Sequence, residues 1–288
     1  MKILVTGVAG QLGYDVMREL AERGYTDVLG IDRDELDITD EVAVHKFIEE
    51  YNPDVIMHNA AWTAVDKAEE LVDACRNVNV NGTKYIAETA EKIGAKLVYI
   101  STDYVFDGKG EKYFEVDDKK EPLSVYGKTK YEGELETQKC SKCFIVRISW
   151  VFGVNGNNFI KTMLRLAETK TSLNIVCDQI GSPTYTYDLS KLLCDMIETE
   201  KYGIYHATNE GICSWSDFAK KIFEIAGVET MTVNPVTTAD YQKLVPQQAV
   251  RPLNSRMSKK SLDDAGFSRL PSWEDATERF IKNELKRW

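Results

Sequence analysis

The stretch MKILVTGVAGQLG, residues 1–13, decides the fold. Ile3–Thr6 is a short apolar run of strand-forming residues, and Gly10 to Arg23 is helical, with Leu12, Val16 and Leu20 on one face. Three glycines join the two patterns with the spacing GxxGxxG. Gly7 permits the tight turn, Gly10 lets a pyrophosphate approach the backbone, and Gly13 lets the helix pack closely on the strand. The start of that helix supplies unpaired N–H donors and partial positive charge, which suits a dinucleotide phosphate.

Outward from this turn the alternation continues. Val28–Asp32, Val55–Asn59, Leu97–Ser101 and Phe144–Ser149 read as further strands. Glu41–Tyr51, with apolar Val42, Val44, Phe47 and Ile48, reads as a helix, as do a long segment Asp73–Ile93 and Ser124–Gln138. Strands separated by helices of this length predict right-handed βαβ units and a doubly wound α/β sheet of Rossmann type. Continuously apolar strands predict a sheet covered on both faces. After Trp150 the rhythm changes. Residues 151–288 read as a smaller, irregular substrate domain, with residues 188–208 returning to the dinucleotide-binding domain of residues 1–150. In that part Phe159–Glu168, Asp188–Glu198 and Ser214–Ala226 are expected helices, Leu173–Tyr187 is strand and turn, Gly203–Ala207 is a strand, and the tail is short turns with an amphipathic end.

Composition closes several function classes. The chain has 288 residues, 43% hydrophobic and 28% charged, which is ordinary for a folded soluble protein. No apolar run approaches the length of a membrane span, and the N-terminus makes a poor signal peptide, so a cytoplasmic protein is expected. A net charge of −10 disfavours sequence-independent nucleic-acid binding. Six cysteines in so long a chain read as free thiols. Cys140 and Cys143 form one CxxC, with no second pair to complete a zinc site; no metal is expected.

Several residues carry chemistry. Asp32 ends the second strand, where a carboxylate accepts hydrogen bonds from a ribose diol and favours NADH. Arg33 follows, suited to the 2′-phosphate of NADPH, so use of both cofactors is expected. Asp37 and Ile38 lie where an adenine edge would be held, Asp37 serving equally well as a turn residue. His58 ends an apolar strand and reads as a hydrogen-bonded core residue. Small Ala60 and Ala61 let the backbone close over the cofactor. Thr102 lies at the end of the fourth strand. Tyr126 and Lys130, four apart on a helix, share one face, so the ammonium is expected to lower the phenol pKa and make a proton donor.

Together GxxGxxG, the Ser-Thr at 101–102 and the YxxxK at 126–130 resemble the extended short-chain dehydrogenase/reductases. The stretches LDITD, NAAWTAVDKAE, STDYVFDG, PLSVYGKTKYEGE, RISWVFG, IGSPTYT and RPLNSRM narrow the resemblance to the dTDP-4-dehydrorhamnose reductases over essentially the whole chain. That resemblance implies NAD(P)H-dependent reduction of the 4-keto group of a dTDP-linked 6-deoxyhexose, giving dTDP-L-rhamnose for cell-surface polysaccharide. It implies Tyr126 as proton donor, Lys130 as its helper and ribose contact, and Thr102 as the tuning residue. It also implies Gln11, Leu12, Asp32, Asp37, Ile38, Ala61 and Thr63 around the cofactor, and Asp103 and Trp150 on the sugar. Arg251 resembles the arginine that grips the diphosphate in related sugar-nucleotide enzymes, a surface salt bridge being its other reading. The resemblance admits a homodimer. Related dehydratases carry an acid pair after the threonine, and here Tyr104 follows Asp103, which weighs against dehydration. A sugar-nucleotide epimerase and a non-catalytic subunit like the reductase-like partner of methionine adenosyltransferase remain as alternatives.

Overall fold

Alternation of short apolar strands with amphipathic helices closes, in the computed structural model, into one six-stranded parallel sheet. The structure describes residues 1–245 and 249–285. The strands β1 (Ile3–Thr6), β2 (Val28–Ile31), β3 (Val55–His58), β4 (Lys96–Thr102) and β5 (Cys143–Ile148) are joined by Gly203–His206, in the order Gly203–His206, β5, β4, β3, β1, β2. The chain leaves β1 toward β2 on one side and returns to β3 on the other, with Ile3 in register with both Val28 and Val55. Ligands bind at the carboxyl edge of such a reversal, because the connections diverge there and leave a crevice.

Helices cover both faces. On one, α1 (Gln11–Glu22) packs against Thr186–Ile197, burying Val16, Leu20, Leu189 and Leu193. On the other, α2 (Glu41–Tyr51) buries Val44 and Ile48 with Ile86 and Ala90. Val42 faces outward, 76% exposed, on the solvent side of α2.

The expected long helix at 73–93 is divided. It runs through α4 (Val72–Arg76), widens to an i→i+5 turn over Asn77–Gly82, and continues as α5 (Thr83–Ile93). A short helix precedes it, α3 (Val65–Glu70), which the sequence did not signal. Beyond them lies α6 (Val125–Thr137), whose N-cap Ser124 accepts a bond from the Gly127 N–H at 3.1 Å.

The later residues form small pairings. Val151–Phe152 pairs with Thr184–Tyr185, and Ile180–Gly181 lies between Cys213–Ser214 and Asn254–Ser255. Ser172–Val176 runs parallel to Thr232–Val236, a strand hidden in a tail expected to hold turns. Phe152, Phe218, Trp273 and Phe280 fill a second core beneath them. All six cysteines are free thiols. Burial pushes Cys140 up and Cys143 up to about 11, so both stay protonated and unreactive. No described helix is long and apolar enough to cross a membrane.

Candidate active site

A cavity of about 900 Å³ opens at the carboxyl ends of β1, β3, β4 and β5. One wall is backbone. Gly7 has φ +71°, and a Cβ there would lie 2.8 Å from the Ala60 nitrogen. A Cβ on Gly13 would lie 2.1 Å from the Gly7 carbonyl oxygen. Gly10 donates its N–H to that same oxygen at 3.0 Å. The first turn of α1 has no side-chain cap, and Gly7, Gly10, Gln11, Leu12 and Gly13 all line the cavity. Uncapped N–H donors at a helix start and a cradle that a Cβ would fill fit the pyrophosphate of a dinucleotide.

The second strand delivers Asp32 to the same wall. Its carboxylate accepts the Ala9 N–H at 2.9 Å and the Arg33 N–H at 2.8 Å, which fixes its orientation for a ribose. Arg33 is 84% exposed and 3.8 Å from Asp37. Asp37 accepts from Thr39 N–H (3.0 Å) and hydroxyl (2.7 Å), the turn role that sequence allowed, while still lining the cavity beside Ile38. Ala60, Ala61 and Thr63 also line it. His58 does not. It is buried between the Thr6 (2.9 Å) and Thr83 (3.2 Å) hydroxyls, and burial pushes it down to about 3, so it is neutral. Thr6 in turn holds the Ala60 N–H at 3.2 Å, so His58 acts on the site only through that loop.

Thr102, Tyr126 and Lys130 all line the cavity. The expected lowering of the phenol pKa does not occur. Burial raises Tyr126 above the ordinary tyrosine range, a Thr102 hydrogen bond pulls the other way, and Asp103 raises it further. The physical reason is that desolvation of a phenolate exceeds what its neighbours return. The Lys130 nitrogen lies 4.0 Å from the centre of the Tyr99 ring, and burial pushes it down to about 7, with Glu134 one turn along opposing. Tyr126 therefore holds its proton, which is the form a donor needs.

Beneath these groups lies a fully buried ion pair. Arg147 of β5 donates Nε and Nη2 to the two oxygens of Glu134 on α6, at 2.8 and 2.7 Å. The Ser101 hydroxyl also bonds Glu134, and Arg147 Nη1 donates to the Val116 carbonyl at 2.9 Å. The pair ties the helix bearing Tyr126 and Lys130 to β5, and the Ser101 hydroxyl ties the same helix to the strand end bearing Thr102.

The opposite wall is made of side chains. Asp103 is buried, accepting from Thr102 Oγ1 at 3.0 Å and from the Ser255 hydroxyl. Burial pushes it up to about 6 against those bonds. Trp150 lines the cavity with φ +50°, a left-handed conformation that costs about 1–3 kcal/mol in a residue with a side chain. The loop after it is tied back to the glycine turn. Gln11 Oε1 accepts from Gly153 N–H and Asn158 Nδ2, both at 3.0 Å, and Asn155 Nδ2 donates to the Ala9 carbonyl at 2.8 Å. Gln11 thus serves this loop with the group expected to face the cofactor. Arg251 is not among the residues lining the cavity. Its two terminal nitrogens each lie 2.9 Å from Asp66, the salt bridge that was its other reading. Among the described residues, Glu41, His45 and Glu88 are spaced as metal ligands are, on the surface of α2 and α5 and outside this cavity.

The model of the RmlD substrate binding domain family matches residues 1–286. The chain belongs to that family. A dTDP-4-dehydrorhamnose reductase of Aggregatibacter actinomycetemcomitans is 43% identical, covering 96% of each chain. The crystal structure of a dTDP-4-dehydrorhamnose reductase from Clostridium acetobutylicum superposes with a TM-score of 0.94 at 40% identity, covering 100% of both chains. The Bacillus anthracis dTDP-4-dehydrorhamnose reductase, solved in complex with NADP, gives 0.91 at 41% identity over 97% of this chain and 98% of that one.

In this RmlD-family chain two contributors escaped the sequence reading. Asn79, in the wide turn, accepts the Trp62 N–H at 2.8 Å, and its amide donates to the Trp62 carbonyl and to Thr129. It pins the Ala60–Thr63 loop to α6. The available signal was NVNVNG, a run of poor helix formers inside a helical pattern. Ser255, which holds Asp103, lies within RPLNSRM, but nothing local there points to Asp103 as its partner.

Proposed function

We infer that this protein reduces the 4-keto group of dTDP-4-dehydro-L-rhamnose to dTDP-L-rhamnose, for cell-surface polysaccharide synthesis, as an NAD(P)-dependent oxidoreductase. The observation that carries the reading is a tyrosine kept protonated by burial, Tyr126, in the same cavity as a helix N-terminus shaped for a dinucleotide. A nicotinamide dinucleotide, when bound on the glycine wall, would supply the hydride. Gly7, Gly10, Gly13, Gln11 and Leu12 would hold its phosphates, and Asp32 or Arg33 the adenosine ribose, with Asp37, Ile38, Ala60, Ala61 and Thr63 around them. Tyr126 gives its proton to the carbonyl oxygen as that oxygen gains charge. Thr102 hydrogen-bonds and orients the phenol, and Lys130, when protonated, favours proton release. Asp103 and Trp150 take the sugar. We assign Arg251 to the diphosphate, with Asp66 as its partner before substrate arrives.

Asp32 and Arg33 together support use of both NADH and NADPH. The enzyme is read as cytoplasmic, independent of nucleic acid, and open to homodimer formation. The deciding experiment mixes purified protein, NADPH and dTDP-4-dehydrorhamnose and follows absorbance of the reduced nicotinamide. Stoichiometric oxidation with formation of dTDP-rhamnose is expected. Tight cofactor binding without oxidation would instead favour a non-catalytic binding subunit.

A further inference from the structure

We propose that Trp215 is a positioning residue for the substrate wall, acting by fixing the indole of Trp150. The proposal rests on the reading of Trp150 as a sugar contact. The Trp150 backbone is left-handed at φ +50°, so its side chain leaves the chain in a direction that ordinary strand or loop geometry would not give. Something must hold that arrangement. The Trp150 and Trp215 rings stack with centroids 3.8 Å apart and planes 16° from parallel. A Cβ on Gly181 would come within 3.0 Å of Trp150 Cε2, so the glycine of IGSPTYT gives the ring its place. The Trp150 carbonyl accepts the Thr184 N–H at 3.2 Å, and Thr184 Oγ1 donates to the Ser149 carbonyl at 2.6 Å. One face of Trp150 is thus covered by Trp215, Gly181 lies close against its ring, and the residue lines the cavity.

Trp215 is itself immobilised. It is the first residue of the helix Trp215–Ile225, whose N-cap Ser214 and Asp217 form a reciprocal capping box. Phe159 backs its ring at 4.6 Å and 56°. Trp215 is not among the residues lining the cavity, so its effect on substrate must pass through Trp150. A flat indole face held at a fixed angle suits the C–H-rich face of a hexose ring. Without the stack, the strained backbone at Trp150 is free to relax and the wall loses its angle.

The test uses Trp215→Phe, Trp215→Leu and Trp215→Ala in the full-length protein, with Trp150→Ala as reference. KM for dTDP-4-dehydrorhamnose and kcat are measured at saturating NADPH, and NADPH affinity separately. Near-ultraviolet circular dichroism reads the coupled indole pair. The Leu and Ala variants are expected to raise KM about twofold to tenfold, the range of one aromatic pair, with NADPH affinity unchanged. Phe is expected to restore most of the wild-type KM because it can still stack, and Leu is not, although it fills space. The dichroism of the pair should vanish in all four variants, and substrate should perturb it in the wild type. Trp150→Ala raising KM while Trp215→Leu leaves it unchanged would overturn the role of Trp215 and leave the reading of Trp150 intact. An unchanged KM in Trp150→Ala would overturn that reading, and the proposal with it. The Leu and Phe variants keep the test decisive should the Ala variant not fold.

Discussion

The two walls of the cavity are built by opposite means. The glycine wall is backbone: a left-handed turn at Gly7, a helix start with no side-chain cap, and a strand end at Asp32 oriented by two N–H groups. The facing wall is side chains brought from distant parts of the chain: Asp103 held by Ser255, and Trp150 held by Gly181 and Trp215. A backbone wall recognises what all dinucleotides share. A side-chain wall can be changed one residue at a time, so substrate choice belongs there. Tyr126 lines the cavity the two walls share.

The largest effect is expected at that residue. Tyr126→Phe should fold and bind NADPH normally but lose about 10² to 10⁴ in turnover, the usual worth of one acid–base group. A variant retaining more than half the wild-type rate would remove Tyr126 from the chemistry.

Breaking the backbone wall alone comes next. In Gly13→Ala the new methyl group meets the Gly7 carbonyl, and neither partner can move aside without shifting α1. Overpacking of about 1–3 kcal/mol should weaken NADPH binding by roughly fivefold to a hundredfold. Substrate-induced change in tryptophan fluorescence should survive, and its loss would show that the walls are not separable.

Arg251→Ala sharpens the comparison from the other side. A charge-assisted diphosphate contact is worth about 1.5–3 kcal/mol, so KM for the dTDP-sugar should rise roughly tenfold to a hundredfold while NADPH affinity holds. A normal KM together with a lower melting temperature would make Arg251 a strap between Asp66 and the later half.

The most gradual effect is a slope. Asp103 has its folded pKa raised to about 6 from 3.8, so its contribution to stability is full below 3.8 and is lost as pH rises through 6. By about 1.4 kcal/mol per unit, the wild type should lose roughly 2–3 kcal/mol across that window beyond what Asp103→Asn loses. Urea midpoints measured at several pH values would show it, and parallel curves for the two proteins would refute it.

The same contrast explains how far the sequence could be read. Gly7, Gly13, Asp32 and the Tyr126–Lys130 pair declare themselves because a turn, a strand end and a helix face are local, periodic objects. Ser255 and Trp215 act across pairings between segments of remote sequence number, and no local pattern records such partners. Thr232–Val236 is legible as a strand only beside Ser172–Val176, its partner. α3 has six residues, too few for periodicity to stand out. The sign of the Tyr126 shift is illegible for a related reason: it is set by burial, which comes from the whole fold and not from the sequence neighbour Lys130. Arg251 was found as a cation, but its pairing with Asp66 depends on a contact 185 residues away.

The Glu134–Arg147 pair has an evolutionary consequence. Replacing either partner alone strands a full charge in the interior, at about 3–5 kcal/mol, against a total stability of only about 5–15 kcal/mol. Single-step drift at either position is therefore nearly closed, while a joint replacement by matched apolar residues is energetically open. Descendants of this chain should keep both residues or neither, and a lineage found with neither would have crossed a valley that selection on the reaction alone would not predict.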